Sequence, residues 1–420
     1  MSVKISTKKV IFFSPAGLAT LSYALFFFST LIPPSTYEAI MGERNVMFLD
    51  LPSHLLVAAC VAAFLLGARW IGERTLPSLA KTSTCLRPSL VALPLLAFVV
   101  LNLVSILLLL KNNPSLLVTW LTDAHSVKVS LDTTGGLSNA LPALYACCWW
   151  ALWRLMEYEH ATDTKAWFLR ILVALSIFLA AFTALIKVAR YDLLPTVVGC
   201  VFVVLIHKFK RGQITLWGNI YAGARLAVFA IAIFLTMAWL RGSEQVSALA
   251  QNALGYSAAS FNRLAALVDG QINFPYAGTG IYAFRFLSYI PFLDRWISLG
   301  GMLGLPRKED AWLSEFVAVS EAGLDGSYIW VSAFGYVYSD LGFLAIVYFF
   351  AMGLMAQWTW NSMLKGNTFG LVAYPYVAFS ILFWMGDNFI AYSKVFVFMF
   401  LIGVLSTFEF ASRLMVKGKA

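Results

Sequence analysis

The chain has 420 residues, 60% of them hydrophobic and only 12% charged, with a formal net charge of +9; its mean hydropathy is +0.78. A soluble domain carries roughly twice that charged fraction, so the composition excludes an ordinary water-soluble globule. The Lys and Arg surplus fits the bias of cytoplasmic loops in membrane proteins, and nucleic acid is not expected as a partner.

Apolar runs of about 17–25 residues recur along the chain, each long enough to cross a hydrocarbon core of roughly 30 Å. Lipid leaves open backbone groups unsatisfied and no period-2 barrel pattern is present, so the spans are expected to be helices. In chain order they are read at Val10–Leu31, His54–Ile71, Leu90–Leu110, Leu137–Leu155, Ala166–Ile186, Tyr191–His207, Leu216–Leu240, Leu341–Trp360, Phe369–Met385 and Lys394–Phe410. Leu116–Leu121, after Pro114, is too short to cross and reads as re-entrant or interfacial. The expected fold class is an all-α polytopic integral membrane protein of about ten spans. The first apolar run is long and lacks a convincing cleavage site, so no cleavable signal is expected.

Orientation follows from Lys and Arg. One set of short segments holds Lys4, Lys8 and Lys9, then Arg69 to Arg87, Arg154 to Arg170, Lys208 to Arg211, Lys365, and Arg413 to Lys419. The opposite set holds only Arg44, Lys111, Lys128, Lys187, Arg190 and Lys394. Both termini are therefore expected in the cytoplasm. The layout divides into 1–240 (seven spans), 241–340 (a large outer loop with interfacial helices) and 341–420 (three spans). A loop of that length is usually functional or folds on its own. The five cysteines lie in spans or in a basic loop and suggest no disulfide framework.

On the outer face, 187-KVARYDLLPTVV-198 packs Lys187, Arg190 and Asp192 into one tight turn. Lys187 and Arg190 are three apart and are expected on one side of the end of the fifth span. Asp192 and Pro195 suit the opening of the next helix. An outer-face Arg in a short turn runs against the charge bias, and its planar guanidinium suits bidentate contact with phosphate. The large loop adds Arg241, Arg263, Arg285 and Arg295, and 281-IYAFRFLSYIPFLDRWISLG-300 interleaves aromatics with Arg285 and Arg295. That stretch reads as an amphipathic interfacial helix, equally able to wall a lipid groove. In 326-GSYIWVSAFGYVYSDLG-342, Tyr336, Tyr338 and Asp340 fall near the outer boundary. Asp340 is either a helix-end carboxylate or a general base towards a hydroxyl. Asp387 and Asn388 form a second outer cluster, with Asp387 expected to pair with Lys394.

The four histidines (His54, His125, His160 and His207) are scattered, with no HExxH or His/Cys cluster, so no metal site is expected. There is no GxxxxGK[ST] loop and no GxSxG elbow. No cofactor is expected.

In layout, in 190-RYDLLPTVV-198 and in 333-AFGYVYSDLGFLAIVYFFAMGL-354, the chain resembles the bacterial O-antigen / oligosaccharide repeat-unit polymerases (the Wzy type). The resemblance implies a GT-C-like glycosyltransferase of the inner membrane with its active site facing the periplasm. Its substrates would be undecaprenyl-diphosphate-linked glycans, and a chain-length regulator and a flippase would be pathway partners. A terminal hydroxyl of one repeat unit would attack the anomeric carbon of the growing chain, and undecaprenyl diphosphate would leave. The chemistry asks for arginines to neutralise the diphosphate, with Arg190, Arg241, Arg263, Arg285 and Lys187 as candidates. It also asks for a carboxylate to take the hydroxyl proton, with Asp340 as candidate; Tyr336 and Tyr338 would line the glycan. The related O-antigen ligases use a histidine in the large outer loop; 241–340 has none. The alternatives are a transporter or flippase for a lipid-linked oligosaccharide, or a ligase. Transporters commonly show broken helices and mid-membrane ionisable residues, whereas the charges here fall at span ends.

Overall fold

The computed structural model describes residues 12–72, 88–122, 144–158, 164–187, 190–211, 246–290, 296–306 and 308–417, with isolated positions between 218 and 232. The described residues contain helices and no strand. In order these are α1 (Pro15–Thr30), α2 (Pro34–Met41), α3 (Leu51–Ile71), α4 (Pro88–Asn112), α5 (Leu116–Thr122), α6 (Ala146–Glu157), α7 (Thr164–Ile186) and α8 (Arg190–Lys210). After the partly described stretch come α9 (Val246–Gly255), α10 (Ala258–Val268), α11 (Lys308–Glu321), α12 (Ser332–Leu341), α13 (Ala345–Leu364), α14 (Thr368–Leu382) and α15 (Lys394–Lys417).

Six stretches among the described residues are long and apolar enough to cross a membrane: Leu51–Ile71, Pro88–Asn112, Trp167–Ile186, Leu193–Lys210, Ser332–Leu364 and Lys394–Ser412. A seventh forms if α1 and α2, bent by 94°, count as one broken span. The chain is thus an all-helical, membrane-embedded protein in its described part. The bend has a local cause: Pro33 and Pro34 cannot continue α1, and Pro34 sits where a helix tolerates proline best, at its start. The span expected at Leu216–Leu240 falls almost wholly outside the described residues. That expected at Leu137–Leu155 is described only from 144, as α6. Phe369–Met385 is represented by α14, fifteen residues capped by Asn367, or about 22 Å of helix at 1.5 Å per residue.

Packing is closest where α3 crosses α13, and the reason is reciprocal. A Cβ on Gly67 would lie 2.1 Å from the Phe350 carbonyl oxygen, and one on Gly353 would lie 2.1 Å from that of Phe64. Small residues let two membrane helices approach backbone to backbone, where dispersion does the work that water exclusion cannot do in lipid.

The insert between 241 and 340 is not a mere connector. Every residue from Ala258 to Leu267 on α10 is buried, because the helix packs against α1, α3 and α12; the rings of Phe261 and Phe26 meet edge-on at 5.0 Å. A second, smaller apolar cluster joins the insert to α12 through Leu267, Phe274, Tyr282, Val319 and Tyr336. Among the described residues of 281–300, 281–290 do not form the expected amphipathic helix. Residues 281–283 are turn and Arg285–Leu287 is a single 3-10 turn, reached through Gly278 and Gly280, whose φ values of 81° and 88° favour glycine.

Candidate functional site

Among the described residues, three buried arginines organise the charged interior, in three separate clusters. The first is built where α10 meets the turn after α2. Both carboxylate oxygens of Glu43 accept from Arg263, at 2.9 and 2.8 Å. Arg263 also donates to the carbonyls of Ala259 and Asp325, at 2.9 and 2.7 Å. Glu43 further accepts from the Tyr37 hydroxyl and from the Asp325 amide, at 2.5 and 2.7 Å. The neighbouring Asn262 accepts from the amides of Val46 and Met47. One guanidinium faces one carboxylate, both terminal nitrogens are engaged, and Arg263 is fully buried. Its geometry is that of a rivet between the insert and the bundle, which leaves neither terminal nitrogen for a phosphate.

A second cluster gathers helix ends that the charge rule had assigned to the cytoplasm. Arg154 donates to Glu157 at 2.9 Å and to Glu409, and reaches the Gly366 carbonyl at 3.4 Å. Trp150 and Trp153 donate to Glu409 and Glu157, at 2.8 and 3.0 Å. The Lys210 ammonium lies 5.3 Å from the Trp153 ring centroid. With Lys210 beside it, this cluster sets two cations against two carboxylates.

The third cluster is different. Arg285, on its 3-10 turn, donates to Glu315 of α11 at 3.2 Å and to the Tyr392 hydroxyl at 3.0 Å. It lies 3.6 Å from the carboxylate of Asp387, in the turn after α14. Tyr336 of α12 donates to the other oxygen of Glu315 at 2.8 Å, and Tyr392 donates to Asp387. The rings of Tyr392, Tyr336 and Tyr282 surround the guanidinium, with centroids 5.2, 5.5 and 6.0 Å away. Asn388 donates to the Tyr348 hydroxyl at 3.0 Å and completes the edge. Here one arginine serves two carboxyl groups. Burial pushes the Glu315 carboxyl up to about 7, the Arg285 charge opposing and the Asp387 charge adding to the rise. The Glu315 carboxyl therefore keeps its proton to higher pH than an exposed glutamate does.

Asp340, the carboxylate expected to act as base, holds the turn that carries Arg285. Its Oδ2 accepts from the amides of Tyr282 and Ala283 at 2.6 and 2.7 Å. Both bonds come from backbone and tie α12 to the turn just before Arg285. Tyr336 does belong to the third cluster. Tyr338 is half-buried, edge-on to Phe343 at 5.9 Å. Asp387 pairs with Arg285, a partner far away in sequence, where Lys394 had been expected. Lys187 is buried just past the end of α7, and Arg190 opens α8, so the two lie on different helices and do not share one helix face. The Arg190 side chain, and Arg241 altogether, lie outside the described residues.

Sequence reasoning missed Glu315 and Glu43. The signal for Glu315 was present but inverted. On α11 the buried face is Ala311, Glu315, Ala318 and Val319. The larger apolar residues Trp312, Leu313 and Val317 are 49%, 57% and 56% exposed. In water that would be inside out. Beside a bilayer, an apolar face turned to lipid and a carboxylate turned to a polar centre is the favourable arrangement. Comparison with protein-family models, with curated proteins and with solved structures gives no match.

Proposed function

We propose that the chain polymerises undecaprenyl-diphosphate-linked oligosaccharide repeat units into O-antigen or a related surface polysaccharide, at the periplasmic face of the bacterial inner membrane. In this reading the chain has about ten spans with both termini cytoplasmic. The Arg154 cluster then lies at the inner end of the bundle and the Arg263 and Arg285 clusters at the outer end. The observation that carries the reading is the Arg285 centre: a buried guanidinium between two carboxyl groups, walled by tyrosines, at the end of the bundle where the charge rule puts the outside. Tyrosine faces stack on sugar rings, paired carboxyl groups accept and relay a hydroxyl proton, and a group titrating near neutrality suits general base catalysis. The diphosphate leaving group supplies the driving force, so no nucleotide is needed outside the cell.

The sharp bend between α1 and α2 favours a second reading, a transporter or flippase for the same lipid-linked glycan, because broken helices are common in transporters. Gene deletion followed by glycan electrophoresis separates the two. A polymerase leaves a single repeat unit where the ladder stood, whereas a flippase leaves no glycan. An unchanged ladder excludes both.

A further inference from the structure

We infer that the Arg285 centre is the acceptor subsite, which holds hydroxyls of an uncharged sugar on the incoming repeat unit and takes the proton of the attacking one. The inference deepens the polymerase reading and rests on it. Charge is the first argument. The groups facing the guanidinium are Glu315 from α11, Asp387 and Tyr392 from the segment before α15, Tyr336 from α12 and Tyr282 from its own loop. One cation already serves two acids, and a diphosphate would add further negative charge. Like charges brought this close in a buried site repel strongly, so the centre disfavours the diphosphate.

Geometry is the second argument. Both terminal nitrogens of Arg285 already contact a carboxylate or a phenol, so the planar edge that would grip a phosphate is occupied. What the centre offers is what a sugar uses: carboxylate oxygens to accept from hydroxyls, phenols to exchange hydrogen bonds, and aromatic faces for ring C–H groups. Depth is the third. The Glu315 side chain is 1% exposed and that of Asp387 6%, while Tyr392 is half-buried. A hydroxyl therefore arrives from the Asp387 side, with Glu315 behind it. In the step, the acceptor oxygen bonds to the anomeric carbon as the carbon–oxygen bond to the diphosphate breaks. The hydroxyl proton passes to the carboxyl pair, and undecaprenyl diphosphate departs with the bonding electrons.

The test uses the full chain in lipid nanodiscs, with undecaprenyl diphosphate lacking any glycan as the binding probe. Chain extension is followed on lipid-linked repeat units extracted from the deletion strain. Arg285→Gln and Asp387→Asn are expected to bind the probe within threefold of wild type, while extension falls at least a hundredfold. Tyr392→Phe, a gentler change that keeps every charge, is expected to raise the KM for the acceptor repeat unit several-fold with kcat less affected. Wild-type extension should rise with pH through neutrality, and the residual activity of Glu315→Gln should lose that limb. A tenfold or greater loss of probe binding in Arg285→Gln, with the protein still monodisperse, would make this the diphosphate subsite and overturn the inference. So would full extension by Asp387→Asn. Failure of the wild-type protein to extend any chain would overturn the polymerase reading itself.

Discussion

The Arg263 and Arg285 centres are built from the same materials and come out as opposites. Each buries a guanidinium inside the insert, each joins the insert to the membrane helices, and each has a tyrosine hydroxyl on a glutamate. In the Arg263 centre one carboxylate meets one guanidinium through two bonds, and backbone groups add bonds to both while the Tyr37 hydroxyl adds one to Glu43. In the Arg285 centre a second carboxyl group, Asp387, enters the same shell and the charges no longer cancel. A charge-balanced pair is a fastener. A centre short of one counter-charge lets burial lift the Glu315 carboxyl towards neutrality, and that suits chemistry better than anchoring. The Arg154 cluster supports the distinction, because it too has two acids but brings Lys210 within reach and so restores balance.

Breaking the fastener should have the largest effect. Glu43→Ala leaves Arg263 charged and buried without its partner, a change that typically costs about 3–5 kcal/mol. The expected result is a steep loss of folded protein in detergent, read by thermal unfolding and size-exclusion chromatography, with chain growth lost alongside. Recovery of well-folded Glu43→Ala protein would show that the insert is held by other contacts.

Removing an acid from the unbalanced centre should do the reverse. Glu315→Gln is expected to leave thermal stability near neutral pH unchanged or slightly raised while chain growth falls sharply to a small residual rate. The sign follows from linkage. The folded Glu315 carboxyl sits at about 7, above its ordinary 4.5, so the folded state binds the proton more tightly. The stability this contributes is fully present below the unfolded value and is lost as pH rises through the folded one. Wild-type stability relative to Glu315→Gln should therefore decline between about pH 4.5 and about pH 7. A difference that stays flat, or rises, across that window would show that Glu315 is an ordinary ionised partner of Arg285.

The smallest change is Tyr336→Phe. It removes one hydrogen bond to Glu315, worth about 1 kcal/mol in stability, and withdraws a contact that favours the ionised carboxylate. The pH limb of chain growth should move upward, and the rate at neutral pH should fall a few-fold. An unmoved limb would detach Tyr336 from the titration of Glu315.

Much of this was legible in the sequence, unevenly. Spans with an unbroken apolar run, such as Leu51–Ile71 and Pro88–Asn112, could be read because lipid imposes length and apolarity directly. Arg285 and Tyr336 could be nominated because cations and aromatics in an outer loop attract notice. Their partners could not. Glu315 looked like one more solvated acid in KEDAWLSEFVAVSE, since the face of α11 that it shares is the less apolar one. Asp387 is about a hundred residues from Arg285, and only the fold of the insert brings them together. Asp340 was noticed as a carboxylate near the outer boundary, yet it accepts backbone amides from a loop 57 and 58 positions away, a contact that no local pattern encodes.

The most direct measurement is the glycan ladder of a deletion strain carrying Arg285→Ala at wild-type protein levels, run beside Arg263→Lys. The account expects the Arg285→Ala protein to be present in the membrane and the ladder to collapse to a single repeat unit, while Arg263→Lys fails through loss of folded protein. A full ladder from Arg285→Ala would contradict it.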